Sequence, residues 1–347
     1  MQTSSTPPLK HLVIVSDAWH PQVNGVVRTL MNTSREIQSL GYRVSMITPE
    51  AFRSVACPSY PEIRLALTTS KTIGARIEAL APDALHIATE GPLGWAARAA
   101  AKRHGWQFTT AFHTRFPEYV NARTGIPVSW LYALFRRFHA PSRAVLAPTQ
   151  AIIDDLTRWK FRNVTYWTRG VDHSIFFPRC QQTSPNPERP IFVYVGRLAV
   201  EKNIAAFLAL DLPGEKWVAG EGPLEGALRA QYPHVRWIGV LPQDQLAEVY
   251  SRADVFVFPS LTDTFGLVMV EAMACGLPVA AYPVAGPIDV VGKSGAGVLA
   301  DDLRSACLAC LEIPRSSALE RAAQFSWDTA TRQFEAALVP MVSRSAQ

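Results

Sequence analysis

Arg197, Lys202, Asp263 and Glu271 have the types and spacing that steady a departing diphosphate. Arg197 follows Gly196 just past an apolar run, and Lys202 stands five positions on, in Gly-Arg-Leu-Ala-Val-Glu-Lys-Asn. Two cations at a strand's carboxyl end can neutralise phosphate charge without a metal. Asp263 lies in a polar turn after the apolar run Val255–Phe258, and Glu271 comes eight positions later in a helical pattern ending near Cys275–Gly276. The backbone N–H groups of Phe265, Gly266 and Leu267 would sit at that helix start, where the dipole is positive and a phosphate can rest. The plainer alternatives are a capping acid and surface ion pairs. They suffice for each residue alone and less well for the ordered set. The chain has no Asp-x-Asp, so no carboxylate-held Mg²⁺ or Mn²⁺ and no other cofactor is expected.

The first half offers a second group. Its first apolar run leads into Ser16-Asp17-Ala18-Trp19-His20-Pro21-Gln22-Val23-Asn24-Gly25. There is no Gly-x-Gly-x-x-Gly, which disfavours a nicotinamide dinucleotide site. Gly25 would let a ligand approach a helix start closely, although Asn24-Gly25 is also a common turn pair. His113 follows the run Phe108–Ala111 and is either a core histidine or a strand-end site residue. Ser129–His139 carries Trp130, Leu131, Leu134, Phe135 and Phe138 as one helical stripe, with Arg136, Arg137 and Arg143 beside it. Such a helix either packs on a sheet or meets an anionic lipid surface.

The elements that must hold these residues alternate in type. Strands are predicted at His11–Val15, Val44–Ile47, Ile63–Leu67, Ala84–Ile87, Phe108–Ala111 and Ala144–Ala147, with helices between them. After a Pro/Ser/Asn-rich break the pattern resumes at Ile191–Val195, Lys216–Val218, Val235–Ile238, Val255–Phe258, Val279–Ala281 and Gly297–Leu299. This predicts an α/β protein with two Rossmann-like, doubly wound parallel sheets facing a cleft. The divisions expected are a first domain at 1–177, a linker at 178–190, a second domain at 191–325, and a tail at 326–347 whose helix could return to the first domain.

At 347 residues, 48% hydrophobic and 18% charged, the chain has ample material for two cores. Residues 1–178 carry 20 Lys and Arg against 11 Asp and Glu, and the remainder 14 against 18, so the first half is basic and the second acidic. A basic half invites an anionic partner, either a membrane surface or an acidic substrate. No zinc-finger or RRM signature supports nucleic acid. No apolar run is long enough for a signal peptide or a spanning helix, so a cytoplasmic location is expected. Cysteines 57, 180, 275, 307 and 310 are scattered, and Cys307-x-x-Cys310 reads as a small-residue core face rather than a zinc or redox pair.

Gly-Arg-Leu…Glu-Lys-Asn at 196–203, Ala-Gly-Glu-Gly-Pro at 219–223, Ala-Asp-Val-Phe-Val-Phe-Pro-Ser at 253–260, and the acid-x7-Glu unit with Glu-Ala-Met-Ala-Cys-Gly-Leu-Pro-Val resemble retaining glycosyltransferases of family 4. Asp17…Pro21…Asn24-Gly25, His113-Thr114-Arg115-Phe116-Pro117-Glu118-Tyr119 and Arg169-Gly170-Val171-Asp172 extend the likeness across nearly the whole chain. The resemblance implies the GT-B fold. It gives Arg197 and Lys202 the donor diphosphate, Gly25 an approach to it, Glu271 the nucleotide ribose, Asp263 with Phe265–Leu267 the sugar hydroxyls, and His113 a place near donor sugar and acceptor. The family's first acid is usually Glu, so the shorter Asp263 shifts the sugar contact. The Thr262–Gly266 and Tyr282–Val290 runs look similar to bacterial diacylglycerol and glycolipid glycosyltransferases, and related enzymes are α-mannosyltransferases. The resemblance therefore implies a metal-independent transfer of glucose or glucuronate from a UDP-sugar to diacylglycerol at the inner membrane face, with the oligomeric state open. A GDP-mannose-dependent transferase, a sugar-nucleotide epimerase and a non-catalytic nucleotide-sugar-binding homologue are the alternatives.

Overall fold

The structure is a computed structural model that describes residues 11–22, 24–57, 60–179 and 189–342. Cys180 and most of the expected linker lie outside the described residues. The chain forms two compact units, one made of the residues up to Thr168 and those from Asp328 onward, the other of Arg169–Trp327.

The first unit contains strands β1 (His11–Val15), β2 (Arg43–Ile47), β3 (Ser54–Cys57), β4 (Tyr60–Ala66), β5 (Ala84–Ile87), β6 (Thr109–Ala111), β7 (Val145–Ala147) and β8 (Val164–Tyr166). Six of them form a parallel sheet in the order β2-β1-β5-β6-β7-β8. β1 and β5 are buried throughout, as a strand covered on both faces must be. The run near Ile63–Leu67, expected in this sheet, belongs instead to the antiparallel β3–β4 hairpin. Its partner lies only a few residues upstream in sequence, so a local return takes the place of a crossover. β8 is absent from the expected strands: three residues with two exposed side chains carry little apolar signal.

The second unit contains β9 (Ile191–Val195), β10 (Glu215–Ala219), β11 (Arg236–Gly239), β12 (Val255–Phe258), β13 (Val279–Ala281) and β14 (Gly297–Leu299). They form a parallel sheet in the order β11-β10-β9-β12-β13-β14. The order reverses direction between β9 and β12. That is the crevice at which such sheets take ligands, beyond the strands' carboxyl ends. In the first sheet the reversal falls between β1 and β5.

The unit boundary falls at 168/169 rather than at 177. Val171 and Phe176 are buried in one cluster with Ile191, Val193 and Tyr250, so the segment before the Pro-rich break packs with the second unit. The helix Trp327–Ala337 places Phe334, fully buried, among Leu12, Ile14 and Trp167 of the first unit. Cys307 and Cys310 are fully buried on one helix, and burial pushes both thiols up to about 12. They are inert core residues at neutral pH.

Candidate functional site

In the second unit the reversal point collects the cations and acids of the Gly196–Asn203 and Asp263–Glu271 motifs. Beyond β9 the chain passes through Gly196 and Arg197 into a short 3₁₀ turn, Val200–Lys202, closed by Asn203 in the left-handed conformation at φ 51°. Asn203 Nδ2 donates to Pro259 O at 3.1 Å and so ties the β9 loop to the end of β12. A side chain on Gly220, in the loop after β10, would meet Gly196 O at 2.0 Å, so only glycine permits these two loops to touch. Tyr194, buried on β9, donates its hydroxyl to Arg197 O at 2.8 Å and steadies the backbone that carries the guanidinium.

Lys202 Nζ donates to Asp263 Oδ1 at 2.5 Å, with both side chains mostly buried. Asp263 Oδ2 is also buried and has no hydrogen-bond partner among the described residues. A buried carboxylate oxygen without a donor is costly, roughly 1–3 kcal/mol or more, which marks a place for a ligand hydroxyl or a water. Burial, with Asp263 and Glu201 nearby, holds the Tyr194 phenol well above its ordinary range, so it stays a neutral donor.

The turn after Asp263 reaches Gly266 at φ 83°, the cap of the helix Leu267–Ala274. A side chain there would also strike Met269 and Phe258 at 2.8 and 2.9 Å. Helix register places Glu271, 5% exposed, one turn inside that helix, and Phe265 is buried against Phe325.

In the first unit Asn24 caps the helix Gly25–Ser39, its Oδ1 accepting from Val26 N and Val27 N at 3.0 Å each, and Gly25 is exposed at the helix start. His113 lies just past β6, its ring edge-on to buried Trp167 with centroids 5.7 Å apart. Asp17, which with Trp130, Arg136 and Arg137 is expected on the acceptor or membrane side, has its carboxylate engaged within the first unit. Its carboxylate accepts from Leu93 N at 2.8 Å, Gly94 N at 3.1 Å and Thr89 Oγ1 at 2.9 Å, capping the helix Pro92–His104 across the β1/β5 reversal. Burial raises its pKa, opposed by those N–H donors.

The predicted stripe on the helix Val128–His139 divides in two. Leu131 and Phe138, with Tyr132 and His139, face the core. Trp130 is 72% and Leu134 48% exposed, on the same side as exposed Arg137. The stripe spans more than one helix face, because positions 130 and 137 lie well over 100°, and 134 about 100°, from the centre of the buried arc. Arg136 is half-buried, with Nη1 donating to Trp159 O at 3.1 Å. Arg136 and Arg137 stand at the C-terminal end of a helix between β6 and β7, hence by the strands' amino ends, away from His113, Asp17 and Gly25.

Tyr194, Glu90 and His139 have no role in the sequence reading, and Asn203 only as the end of its motif. Of the first three, only Glu90 carries a signal, as an acid between a strand end and a Gly-Pro helix start. Glu90 Oε1 pairs with His139 Nε2 at 3.1 Å, with side chains 4% and 1% exposed, and His139 Nδ1 meets Thr110 Oγ1 at 2.9 Å.

Residues 23–175 match the family described as Glycosyltransferase Family 4, and residues 189–313 match Glycosyl transferases group 1. With two doubly wound sheets and these strand-end loops, the chain belongs to glycosyltransferase family 4 and has the GT-B fold. It is 30% identical over 329 residues to the Sulfoquinovosyl transferase SQD2 of Arabidopsis thaliana, a match covering 84% of this chain and 64% of that one. It thus spans just under two thirds of the plant protein's length. It is 29% identical over 316 residues to a GDP-mannose-dependent alpha-mannosyltransferase of Mycobacterium tuberculosis, covering 83% of each. Among solved structures, a sucrose-phosphate synthase from Thermosynechococcus elongatus shares the fold at a TM-score of 0.75 and 20% identity, over 94% of this chain and 97% of that one.

Proposed function

We propose that this glycosyltransferase moves a hexosyl or hexuronosyl unit from a nucleoside diphosphate sugar, UDP-glucose or UDP-glucuronate first among them, to a lipid hydroxyl such as that of diacylglycerol, with retention at the anomeric carbon. The observation that carries the donor side is the Lys202–Asp263 pair, set at the sheet reversal with one carboxylate oxygen left for a ligand. Arg197 and Lys202 meet the diphosphate, and the N–H groups at the start of the Leu267–Ala274 helix add to them. Asp263 and the backbone of Phe265–Leu267 take sugar hydroxyls, and Glu271 takes the ribose.

As the anomeric C–O bond breaks, negative charge gathers on the leaving phosphate oxygen, where fixed cations lower the barrier most. The acceptor oxygen bonds to the anomeric carbon from the same face, and its proton passes to the leaving phosphate. No protein nucleophile and no metal enters this route. Asn24, Gly25 and His113, at strand ends of the first unit, serve the donor sugar and acceptor. The basic first half favours an acceptor at an anionic membrane surface, and no helix among the described residues is long and apolar enough to cross one.

Transfer from GDP-mannose is the second reading, favoured by the similarity to the mycobacterial mannosyltransferase over most of both chains. A panel of UDP- and GDP-sugars offered with detergent-dispersed membrane lipids, read by mass spectrometry, tests both. The expected product is a lipid carrying one added hexose or hexuronate from a single nucleotide class. Donor consumed equally without lipid, as hydrolysed or epimerised sugar, would overturn the transferase-to-lipid reading.

A further inference from the structure

The exposed side of the Val128–His139 helix ends in a feature that the donor and acceptor loops do not use. Arg136, Arg137, Lys160 and Arg162 surround a cavity of about 460 Å³, with buried Phe161 and exposed Ala140 beside them. No carboxylate is among the described residues lining it. Among the described residues none of these four cations forms an ion pair; Asp155 is engaged with Arg115 and Arg158, and Glu90 with His139, which also lines the cavity. Two chain segments build the cavity, the end of the helix and the link from the Gln150–Arg158 helix to β8, both by the amino ends of β7 and β8. Lys160 there takes the left-handed conformation at φ 64°. Arg136 Nη1, donating to Trp159 O, joins the two segments.

From this cluster the helix runs back through Leu134 to Trp130. Positions 130, 134 and 137 follow the i, i+4, i+7 spacing, so one exposed line carries an aromatic ring, an aliphatic side chain and a cation. A soluble anion would have use for the cations but none for Trp130 at 72% exposure. A single-stranded nucleic acid would want successive rings along a basic groove, whereas here one exposed ring stands apart from one compact pocket. Apolar residues beside a cation cluster suit a headgroup layer, where tryptophan sits at the interface and basic side chains meet lipid phosphates.

We infer that the outer face of this helix, with the Arg136–Arg137–Lys160–Arg162 pocket, is the surface that seats the protein on an anionic phospholipid bilayer, a lipid phosphate entering the pocket. The inference deepens the lipid-acceptor reading and rests on it for the choice of a bilayer as the occupant.

Flotation of the full chain with vesicles tests it, using phosphatidylglycerol in phosphatidylcholine against phosphatidylcholine alone. The variants are Lys160→Glu with Arg162→Glu, and separately Trp130→Ser, all at exposed positions. The wild type is expected to float with the anionic vesicles only. The double variant should lose affinity about thirtyfold or more, since each basic residue near such a surface is worth about a factor of five. Trp130→Ser should lose several-fold, with circular dichroism and nucleotide binding unchanged in both. The inference is overturned if the wild type ignores lipid charge, or if the double variant floats undiminished. It is also overturned if inorganic phosphate at millimolar concentration abolishes flotation at constant ionic strength, or if the protein prefers tRNA to the vesicles. Failure of the wild type to bind any vesicle, with transfer to lipid in neutral detergent retained, would sink the docking surface alone. Charge-selective flotation with no transfer to any lipid would keep it and sink the acceptor reading.

Discussion

The two sheets each end in loops that gather carboxylates at the reversal of strand order, and the two gatherings behave differently. In the first unit Asp17 gives both oxygens to a helix N-terminus and a threonine, and Glu90 is paired with buried His139. In the second, Asp263 gives one oxygen to Lys202 and keeps the other, buried, without a partner among the described residues. A buried acid whose lone pairs are filled by backbone N–H groups holds loops in place. One left partly unsatisfied is a place for something that arrives. Position at a strand's carboxyl end is common to both, so position alone does not separate scaffold from site.

Substitutions at the two reversals should separate along this line. The largest effect is expected for His139→Ala, which strands Glu90 as a buried unpaired charge at a cost of about 3–5 kcal/mol. Urea unfolding measures it, and adding Glu90→Gln should recover a good part. An unchanged midpoint for the single variant would remove the pair from the scaffold. Next come Arg197→Ala and Lys202→Ala, each expected to lower kcat about 10²–10³-fold, with the unfolding transition in place for Arg197→Ala and lowered for Lys202→Ala, which takes the partner from Asp263. Normal turnover in both would mean that the diphosphate is held elsewhere. Asp17→Ala should cost about 2 kcal/mol of stability by uncapping the Pro92–His104 helix, and should register in unfolding before it registers in donor affinity. The reverse order would return Asp17 to the acceptor side. The smallest effect is Asn24→Ala, about 1 kcal/mol from the lost cap on Val26 and Val27, read as a modest drop in Tm.

Much of the architecture is legible because buried parallel strands are written as apolar runs. Val255–Phe258 and Val279–Ala281 match the expected bounds to the residue for that reason. The hairpin at β3–β4 and the short strand β8 do not, since register and partner choice leave little trace in a few half-exposed residues. The candidate donor site is legible because its parts lie in three local motifs: Gly196–Asn203, the Asp263 turn and the helix bearing Glu271. Tyr194 is invisible in sequence, because a lone tyrosine in an apolar strand announces packing and not the backbone carbonyl it will meet.

By itself the sequence determined the alternation of strand and helix, the cations and acids of the second unit, and the basic character of the first half. Each is a property of residue type at short spacing. Only the tertiary structure decided which acid is consumed by a helix end and which keeps an oxygen for a ligand, since that depends on segments some 70 residues apart meeting within hydrogen-bond distance. It also divided the Trp130–Phe138 stripe, because which arc of a helix is buried is settled by the sheet it leans on. The arginines beside that stripe thereby became the rim of a pocket by the strands' amino ends.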